Sequence, residues 1–313
     1  MHLSATKTSF KAYFCSRIES IDLHVHTNFS DGTDSPEDII KKAEIIGLNT
    51  IAITDHETID GLSKVKESKV NVISGVEISA KWKKIKVNNN ESGIHVLFYF
   101  VKPKTDLHDL LKKIRDEKKL RNLEIINKLK NLDIELDIEE IQKNENQVLG
   151  RPHIAKLMVD GGYVDSITEA FNRFLGNGKP AYTDLHQISI SKLLEVAKDS
   201  KVISILAHPH TLDPKKNMLI NRQWINKDLA SNLNELKRMG LDGVETYYSS
   251  YDDPTRKQLS KLAMETGLLE TGGSDYHGDM KPGLSLGTGW ENKPLNVPDE
   301  IGFKLREKYE SIK

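Results

Sequence analysis

Short apolar runs that stop on a histidine or a carboxylate recur along this chain, and they constrain its fold more than its length or composition does. The first is Ile21-Asp22-Leu23-His24-Val25-His26, followed by Ser30-Asp31-Gly32. The same kind of ending appears in Thr54-Asp55-His56, Gly75-Val76-Glu77, Gly93-Ile94-His95, Ile205-Leu206-Ala207-His208 and Gly272-Gly273-Ser274-Asp275-Tyr276-His277. Six of the eleven histidines lie in these runs. Runs that are apolar without alternation read as strands buried on both faces. A parallel barrel gathers the C-terminal ends of its strands on one face. Ligand-type residues far apart in sequence would then meet there.

Between the runs, helical spacing takes over. Ser35 and Pro36 predict a helix start, Ile39, Ile40, Ala43 and Ile46 follow at helical intervals, and Gly47 predicts the stop. Strands are expected at Thr50–Thr54, Val70–Ile78, Ile94–Val101, Val202–Ala207, Gly243–Tyr248 and Leu268–Gly272, and helices at Lys227–Met239 and Pro254–Thr266. From 103 to 190 the apolar residues keep helical spacing only, as in Leu107, Leu110, Leu111 and Ile114, then Leu123, Ile125, Ile126 and Leu129. Further helices are expected near Pro152 and from Ser166 to Leu175, ending at Gly176-Asn177-Gly178. The pattern predicts an α/β chain with a parallel sheet of about seven strands, closing into a barrel with helices outside. Residues 21–102 and 191–290 would form the barrel, 103–190 a helical insertion, 1–20 an N-terminal extension and 291–313 a C-terminal tail or helix.

Lysine and arginine number 45 against 46 aspartates and glutamates, so no global field draws nucleic acid to the surface. With 37% hydrophobic and 29% charged residues, the chain suits a soluble globular protein. Cys15 is the single cysteine, which excludes an intramolecular disulfide and fits a reducing cytoplasm. No stretch approaches the roughly 18 apolar residues of a membrane helix, and residues 1–20 lack the apolar middle of a secretory signal. A cytoplasmic protein with no membrane contact and no obligate protein partner is expected.

One isolated His-x-His pair is more often a satisfied core or surface feature than a metal site, but here the pattern recurs at several strand ends. In a strand the side chains alternate with period two, so His24 and His26 project from one face and can bind one ion together. Asp31, in an Asp-Gly turn, lies close enough in sequence to reach a second ion. Of Asp55 and His56, one can ligate while the other orients it. Glu77 has two oxygens with which to bridge ions, and Asp275 and His277 repeat the i, i+2 spacing. His95 sits inside an apolar run and His208 before Pro209-His210, and both are taken as ligands. His210 has either a substrate or proton-transfer role or a structural one. The mixed donor set suits Mn, Zn or Fe without choosing among them. His2, His108 and His186 lack such a setting.

Together these motifs resemble the PHP family, named for polymerase and histidinol phosphatase domains, over residues 21 to about 290. The segments that carry the resemblance are Asp22-Leu23-His24-Val25-His26-Thr27 with Ser30-Asp31-Gly32, Thr54-Asp55-His56, Gly75-Val76-Glu77, Ala207-His208-Pro209 and Gly273-Ser274-Asp275-Tyr276-His277. The resemblance implies a distorted (β/α)7 TIM-like barrel with two or three divalent ions, Mn foremost, at the strand C-termini. It implies that His24, His26, Glu77 and Asp275 hold one ion, Asp31, His56 and His277 a second, and Glu77, His95 and His208 a third. The insertion, with Gly150-Arg151-Pro152-His153 and Phe174-Leu175-Gly176-Asn177-Gly178-Lys179-Pro180-Ala181-Tyr182, is similar to a branch of small phosphoesterases. That branch includes nucleoside 3′,5′-bisphosphate phosphatases and a 5′-to-3′ exoribonuclease. The stretch between Glu77 and His95, with Asn88-Asn89-Asn90, is longer than the family pattern.

The expected reaction is metal-assisted hydrolysis of a phosphomonoester of a nucleotide or of an RNA 5′ end. Arg151 would share the phosphoryl charge, and His210 or His153 would protonate the leaving oxygen. Arg151, His153, Lys179, Tyr182 and His210 are the candidate substrate contacts, in a lid formed by the insertion. Tyr247, Tyr248 and Tyr251 offer base stacking or packing against the insertion. A histidinol-phosphate phosphatase keeps the same site with another substrate. A non-catalytic metal-containing module that displays its insertion to RNA or protein is the rival from a different class.

Overall fold

A computed structural model of the chain describes residues 20–87, 90–136, 150–184, 187–213 and 224–313. Cys15, His2, His186, Asn88, Asn89 and most of the expected N-terminal extension lie outside the described residues.

Seven strands form one sheet in chain order: β1 Ser20–Val25, β2 Leu48–Ile53, β3 Asn71–Val87, β4 Asn90–Tyr99, β5 Ile203–Leu206, β6 Gly243–Tyr248 and β7 Leu269–Gly273. The sheet curls until its ends meet. Asp275 N donates to His24 O and His26 N to Tyr276 O, both at 2.9 Å, which nearly closes the barrel. Closure brings backbones together at Gly273, where a Cβ would lie 2.3 Å from the His24 nitrogen.

One strand departs from the expected parallel sheet. β1–β2–β3 and β5–β6–β7 pair in parallel, but β4 runs antiparallel to both β3 and β5. Its reason is the connection. A parallel crossover needs a dozen or more residues, whereas β3 and β4 are consecutive and form a hairpin. β3 also runs well past the expected end at Ile78.

Helix α1 (Pro36–Ile46) starts and stops as the sequence predicts. The Ser35 side chain accepts from Asp38 N, and Gly47 takes the left-handed conformation at φ 80°. Helices α2 (Asp106–Lys130), α3 (Arg151–Asp160) and α4 (Ile167–Ala170, continued by a π-turn to Leu175) make up the helical region. The barrel resumes through α5 (Ile190–Asp199), α6 (Lys227–Arg238), α7 (Asp253–Thr266) and the C-terminal α8 (Asp299–Ile312).

The two faces of the sheet bury different sets. Val96, Phe98, Leu206 and Val244 pack under Leu107 and Leu111 of α2, Leu193 of α5, Leu233 and Leu236 of α6 and Leu259 of α7. Leu97, Tyr99, Ile203 and Ile205 pack with Ile301, Leu305 and Tyr309 of α8. Residues 291–313, expected as a C-terminal tail or helix, contribute Leu295, Val297, Ile301, Leu305 and Tyr309 to this second set. Helix α2 is divided in the same way. Its first half belongs to the barrel, whereas Ile125 and Leu129 join Ile154, Ala155, Met158, Ala170, Leu175 and Ala181 in a separate small core. That second core is the cap. No helix among the described residues is long and apolar enough to cross a membrane.

Candidate metal centre

The strand ends carry their histidines and carboxylates to one mouth of the barrel. His24 and His26, two apart at the end of β1, are both fully buried. Glu77 on β3 reaches them, with Oε2 3.2 Å from His24 Nε2 and 3.1 Å from His26 Nε2. Its other oxygen lies 2.8 Å from His95 Nδ1 and 3.1 Å from His208 Nε2. Asp275 Oδ1 lies 3.4 Å from His24 Nε2, and Asp31 Oδ1 lies 3.2 Å from His277 Nε2. His56 stands between, 3.6 Å from Asp31 and 3.6 Å from Glu77.

Three groups gather with their ligand atoms within 4.8 Å of one another: His24, His26, Glu77 and Asp275; His26, Asp31, His56 and His277; and Glu77, His95 and His208. Glu77 and His26 each belong to two of them. His95 reaches the mouth by a route the sequence reading missed. Because β4 is reversed, it passes the mouth on its way in, and His95 pairs with Ser79, two residues beyond Glu77 on β3. The ligand-type residue therefore comes before the apolar stretch Val96–Tyr99 instead of after it.

The cluster has the marks of a cation site. His24 Nε2 and His26 Nε2 are 3.1 Å apart, and Nδ1 of His24 faces Glu245 at 3.0 Å. With Nδ1 turned to Glu245, His24 presents Nε2 to His26, Glu77 and Asp275, so the four donor atoms face one another. Among the described residues, buried Asp31 Oδ1 lies 3.2 Å from His277 Nε2 and 3.6 Å from His26 Nδ1 but meets no hydrogen-bond geometry, which leaves it open to a ligand. Burial alone would raise the pKa of Glu77, but the charges of His24, His56 and His95 hold it well below the usual carboxylate range. Asp275 is held low against burial by Lys281 and His24, and Asp31 by His56 and His277. Burial, with the charge of His277, pushes His26 down to about 3. His24 stands well above the usual imidazole range despite burial, because Asp275, Glu245 and Glu77 surround it. Three ionised carboxylates among imidazoles suit divalent ions.

Supporting groups hold this arrangement. Glu245, fully buried on β6, contacts His24 Nδ1 through one oxygen and accepts from His208 N through the other at 2.7 Å. The sequence reading passed over it, although Gly243-Val244-Glu245 repeats Gly75-Val76-Glu77 letter for letter. Asp22 accepts from Ser274 N at 2.9 Å and Gly287 N at 2.8 Å, tying β1 to the segment after β7. Asp55 does not orient its neighbour His56. It accepts from Thr27 N and Thr27 Oγ1 at 2.7 Å and Ser30 Oγ at 2.6 Å, and so fixes the loop that carries Asp31. His208 and Asp275 have φ of 29° and 57°, conformations that non-glycine residues seldom adopt outside functional sites.

Residues 22–203 match the family model for the PHP domain. The chain belongs to the PHP family. It is 30% identical over 261 residues to a 5′-3′ exoribonuclease of Haemophilus influenzae, covering 82% of this chain and 89% of that one. It is 24% identical over 286 residues to a 3′,5′-nucleoside bisphosphate phosphatase of Chromobacterium violaceum, covering 89% and 94%. A Bifidobacterium adolescentis structure assigned as a metal-dependent phosphoesterase has a TM-score of 0.75 at 25% identity, covering 93% of this chain and 96% of that one. This PHP protein is a metal-dependent phosphoesterase, a hydrolase of phosphoric ester bonds.

Around the PHP centre the expected substrate residues divide. Arg151 opens α3, with Nη1 donating to Leu175 O at 3.2 Å and its guanidinium over the rings of Phe171 and Tyr182. His153 accepts from Gly150 N at 3.0 Å and meets the backbone of Ser30 beside Asp31, so it links cap to metal loop. Burial lowers its pKa. Tyr182 is half-buried, with its hydroxyl 3.3 Å from Asp184. Lys179 is not drawn in: its side chain is exposed, and its backbone closes the turn by accepting from Tyr182 N.

His210 lies beside the PHP mouth in an aromatic nest of Tyr248, Tyr251 and Trp224. Its Nδ1 is 2.5 Å from the Tyr251 hydroxyl, and burial, with the charge of His208, pushes its pKa to about 3. The tyrosines separate as well. Tyr248 donates to Asp275 Oδ2 at 2.8 Å and Tyr251 is buried, whereas Tyr247 packs on the other face near Arg256. None of the three belongs to the core of the cap.

Proposed function

We propose that the chain hydrolyses phosphate esters of nucleotides, with 3′,5′-bisphosphonucleosides or RNA 5′ ends as substrates and with two or three divalent ions, Mn foremost. The observation that carries this reading is the overlap of three ligand groups at one barrel mouth, with Glu77 and His26 each in two of them. The nucleic-acid substrates named for the exoribonuclease and bisphosphate phosphatase relatives favour nucleotide esters over histidinol phosphate. We place the enzyme in the cytoplasm, which suits its single cysteine.

Divalent ions held there lower the pKa of water and take up charge on the phosphoryl oxygens. His24, His26, Glu77 and Asp275 would hold one, Asp31, His56 and His277 a second, and His95 and His208 with Glu77 a third. The chain's own groups do the rest. Arg151 adds positive charge at the edge of the site. His210 is neutral near pH 7, so it serves as an N–H hydrogen-bond donor rather than an acid with a proton to spare. His153 keeps the cap in register with the Asp31 loop. Of the expected lid, residues 103–190, the part gathered round Ile125, Leu129, Ile154, Met158 and Leu175 acts as the substrate lid, while Leu107 and Leu111 stay with the barrel.

The test combines metal analysis of the purified protein with a Mn-supplemented panel of bisphosphonucleosides, short RNAs and histidinol phosphate. His24→Ala and Asp275→Ala should abolish hydrolysis while circular dichroism stays native. Full activity in both variants, or in metal-stripped protein, would sink the reading. A clear preference for histidinol phosphate would replace the substrate.

A further inference from the structure

The three carboxylates of the ligand groups do not use their oxygens alike. Glu77 presents one oxygen to His24 and His26 and the other to His95 and His208. Asp31 presents Oδ1 to His26 and His277 and Oδ2 to His56. Asp275 presents only Oδ1 to histidines, 3.4 Å from His24 Nε2, 3.5 Å from His26 Nε2 and 3.5 Å from His277 Nδ1. Its Oδ2 accepts from the Tyr248 hydroxyl at 2.8 Å and from the Lys281 ammonium. An ammonium has no lone pair to offer a cation. Lys281 therefore supports this oxygen and does not compete for an ion.

The two donors come from different elements. Tyr248 ends β6 and pairs with Gly273 on β7, two residues before Asp275. Its ring packs against those of His208, His210 and Tyr251, with centroids 5.6, 5.3 and 5.2 Å away, which fixes where the hydroxyl points. Lys281 follows a short 3-10 turn, Gly278–Met280, that leads the chain back to Asp275. Its ammonium also donates to Asp275 O at 3.2 Å. One cation thus bonds both the side chain and the backbone of a residue held at φ 57°. Charge-assisted bonds of this kind are about twice as strong as neutral ones.

A carboxylate can meet a cation with one oxygen or with both. Using both fills a position around the ion that a hydrolytic site leaves open for water. We propose that Lys281 and Tyr248 are positioning residues that hold Asp275 to one-oxygen ligation. Lys281 restrains Oδ2 by charge, and Tyr248 restrains it by direction. The ammonium also draws electron density from the carboxylate, which leaves the ion a stronger Lewis acid. Neither residue touches the ester, since both act through Asp275. Losing a group that orients a metal ligand ordinarily lowers metal affinity. Here the effect has the opposite sign: once Oδ2 is released it is free to bind, the ion is held at least as tightly, and turnover falls. The proposal rests on the reading of Asp275 as a ligand, which Asp275→Ala tests by itself.

The test uses Lys281→Met, which keeps the apolar stem, and Tyr248→Phe, which removes only the hydroxyl, beside Lys281→Arg and Asp275→Ala. Mn affinity is read by competition against a chelating dye. Turnover of adenosine 3′,5′-bisphosphate and p-nitrophenyl phosphate is read at saturating Mn. Lys281→Met and Tyr248→Phe should bind Mn as tightly as wild type or up to about 10-fold tighter, while kcat falls about 10-fold or more and KM stays unchanged. Lys281→Arg should recover part of kcat. If Lys281→Met does not fold, Tyr248→Phe carries the same expectation alone. Mn binding about 10-fold weaker in Tyr248→Phe or in folded Lys281→Met would make the pair ordinary supports of a ligand and overturn the restraint. A raised KM at wild-type kcat would make Lys281 a substrate contact and overturn it too, as would wild-type behaviour in both variants. Wild-type Mn affinity in Asp275→Ala would remove the ligand from which the proposal starts. Inactivity of the wild-type enzyme on both esters would overturn the functional reading, and the Mn affinities would still judge the restraint.

Discussion

Nδ1 of His24 and the carboxylate of Glu245 meet at 3.0 Å in a fully buried contact. The contact decides which nitrogen of His24 faces the other candidate ligands. Since the second oxygen of Glu245 holds the backbone of His208, one side chain orders parts of two ligand groups. Glu245→Gln should keep the fold and lower metal affinity by roughly 10- to 100-fold, the usual cost of losing such a partner. Competition against a chelating dye measures it, and wild-type affinity in the variant would remove Glu245 from the site's support.

Metal binding should release protons. His24 carries its proton near pH 7 in the metal-free chain, because its pKa is raised, whereas His26 does not, because its pKa lies at about 3. A cation must displace the His24 proton. Apparent affinity therefore climbs with pH until the pH passes the raised pKa of His24, and then levels. Calorimetric Mn titrations in two buffers of different ionisation enthalpy should show net release. Proton uptake, or none, contradicts this.

Asp55→Ala should destabilise the protein by about 3 kcal/mol, because Thr27 N, Thr27 Oγ1 and Ser30 Oγ lose a buried acceptor together. The loop carrying Asp31 should loosen with it. Urea unfolding gives the first quantity and Mn affinity the second. A loss under about 1 kcal/mol would mean that water replaces the carboxylate there.

Tyr309 is 7% exposed and stacks on Phe100 with ring centroids 4.1 Å apart. Tyr309→Ala should cost about 3–4 kcal/mol, as expected for a large buried ring. Removal of residues 299–313 should leave no cooperative thermal transition. A truncated chain that melts like the intact protein would show that α8 is an appendage after all.

The histidines and carboxylates that meet at the barrel mouth could be picked out because two constraints coincide in the same few letters. A run such as Ile205-Leu206-Ala207 can only be buried, and a polar residue after it must then have a partner. The i, i+2 spacing of His24 with His26 and of Asp275 with His277 adds direction. The reversal of β4 was hidden because an apolar strand reads alike in either sense, and only the hairpin register reveals that His95 begins at the mouth. Glu245 was hidden by its own burial: in sequence it is one acid in a strand, and its role exists only through residues 221 and 37 positions away.

The split of α2 between two cores bears on how such enzymes could exchange specificity. A cap joined by loops can be traded between barrels by cutting the loops. Here the rod that carries Arg121 and Ile125 is the same rod that seats Leu107 and Leu111 in the barrel. A graft at the expected boundary of residue 103 would remove part of the recipient's wall. A graft cut inside α2 must preserve its rotational phase, because one added residue turns everything beyond it by about 100°. Relatives with different caps should thus conserve the spacing along this helix more tightly than the residues on its surface.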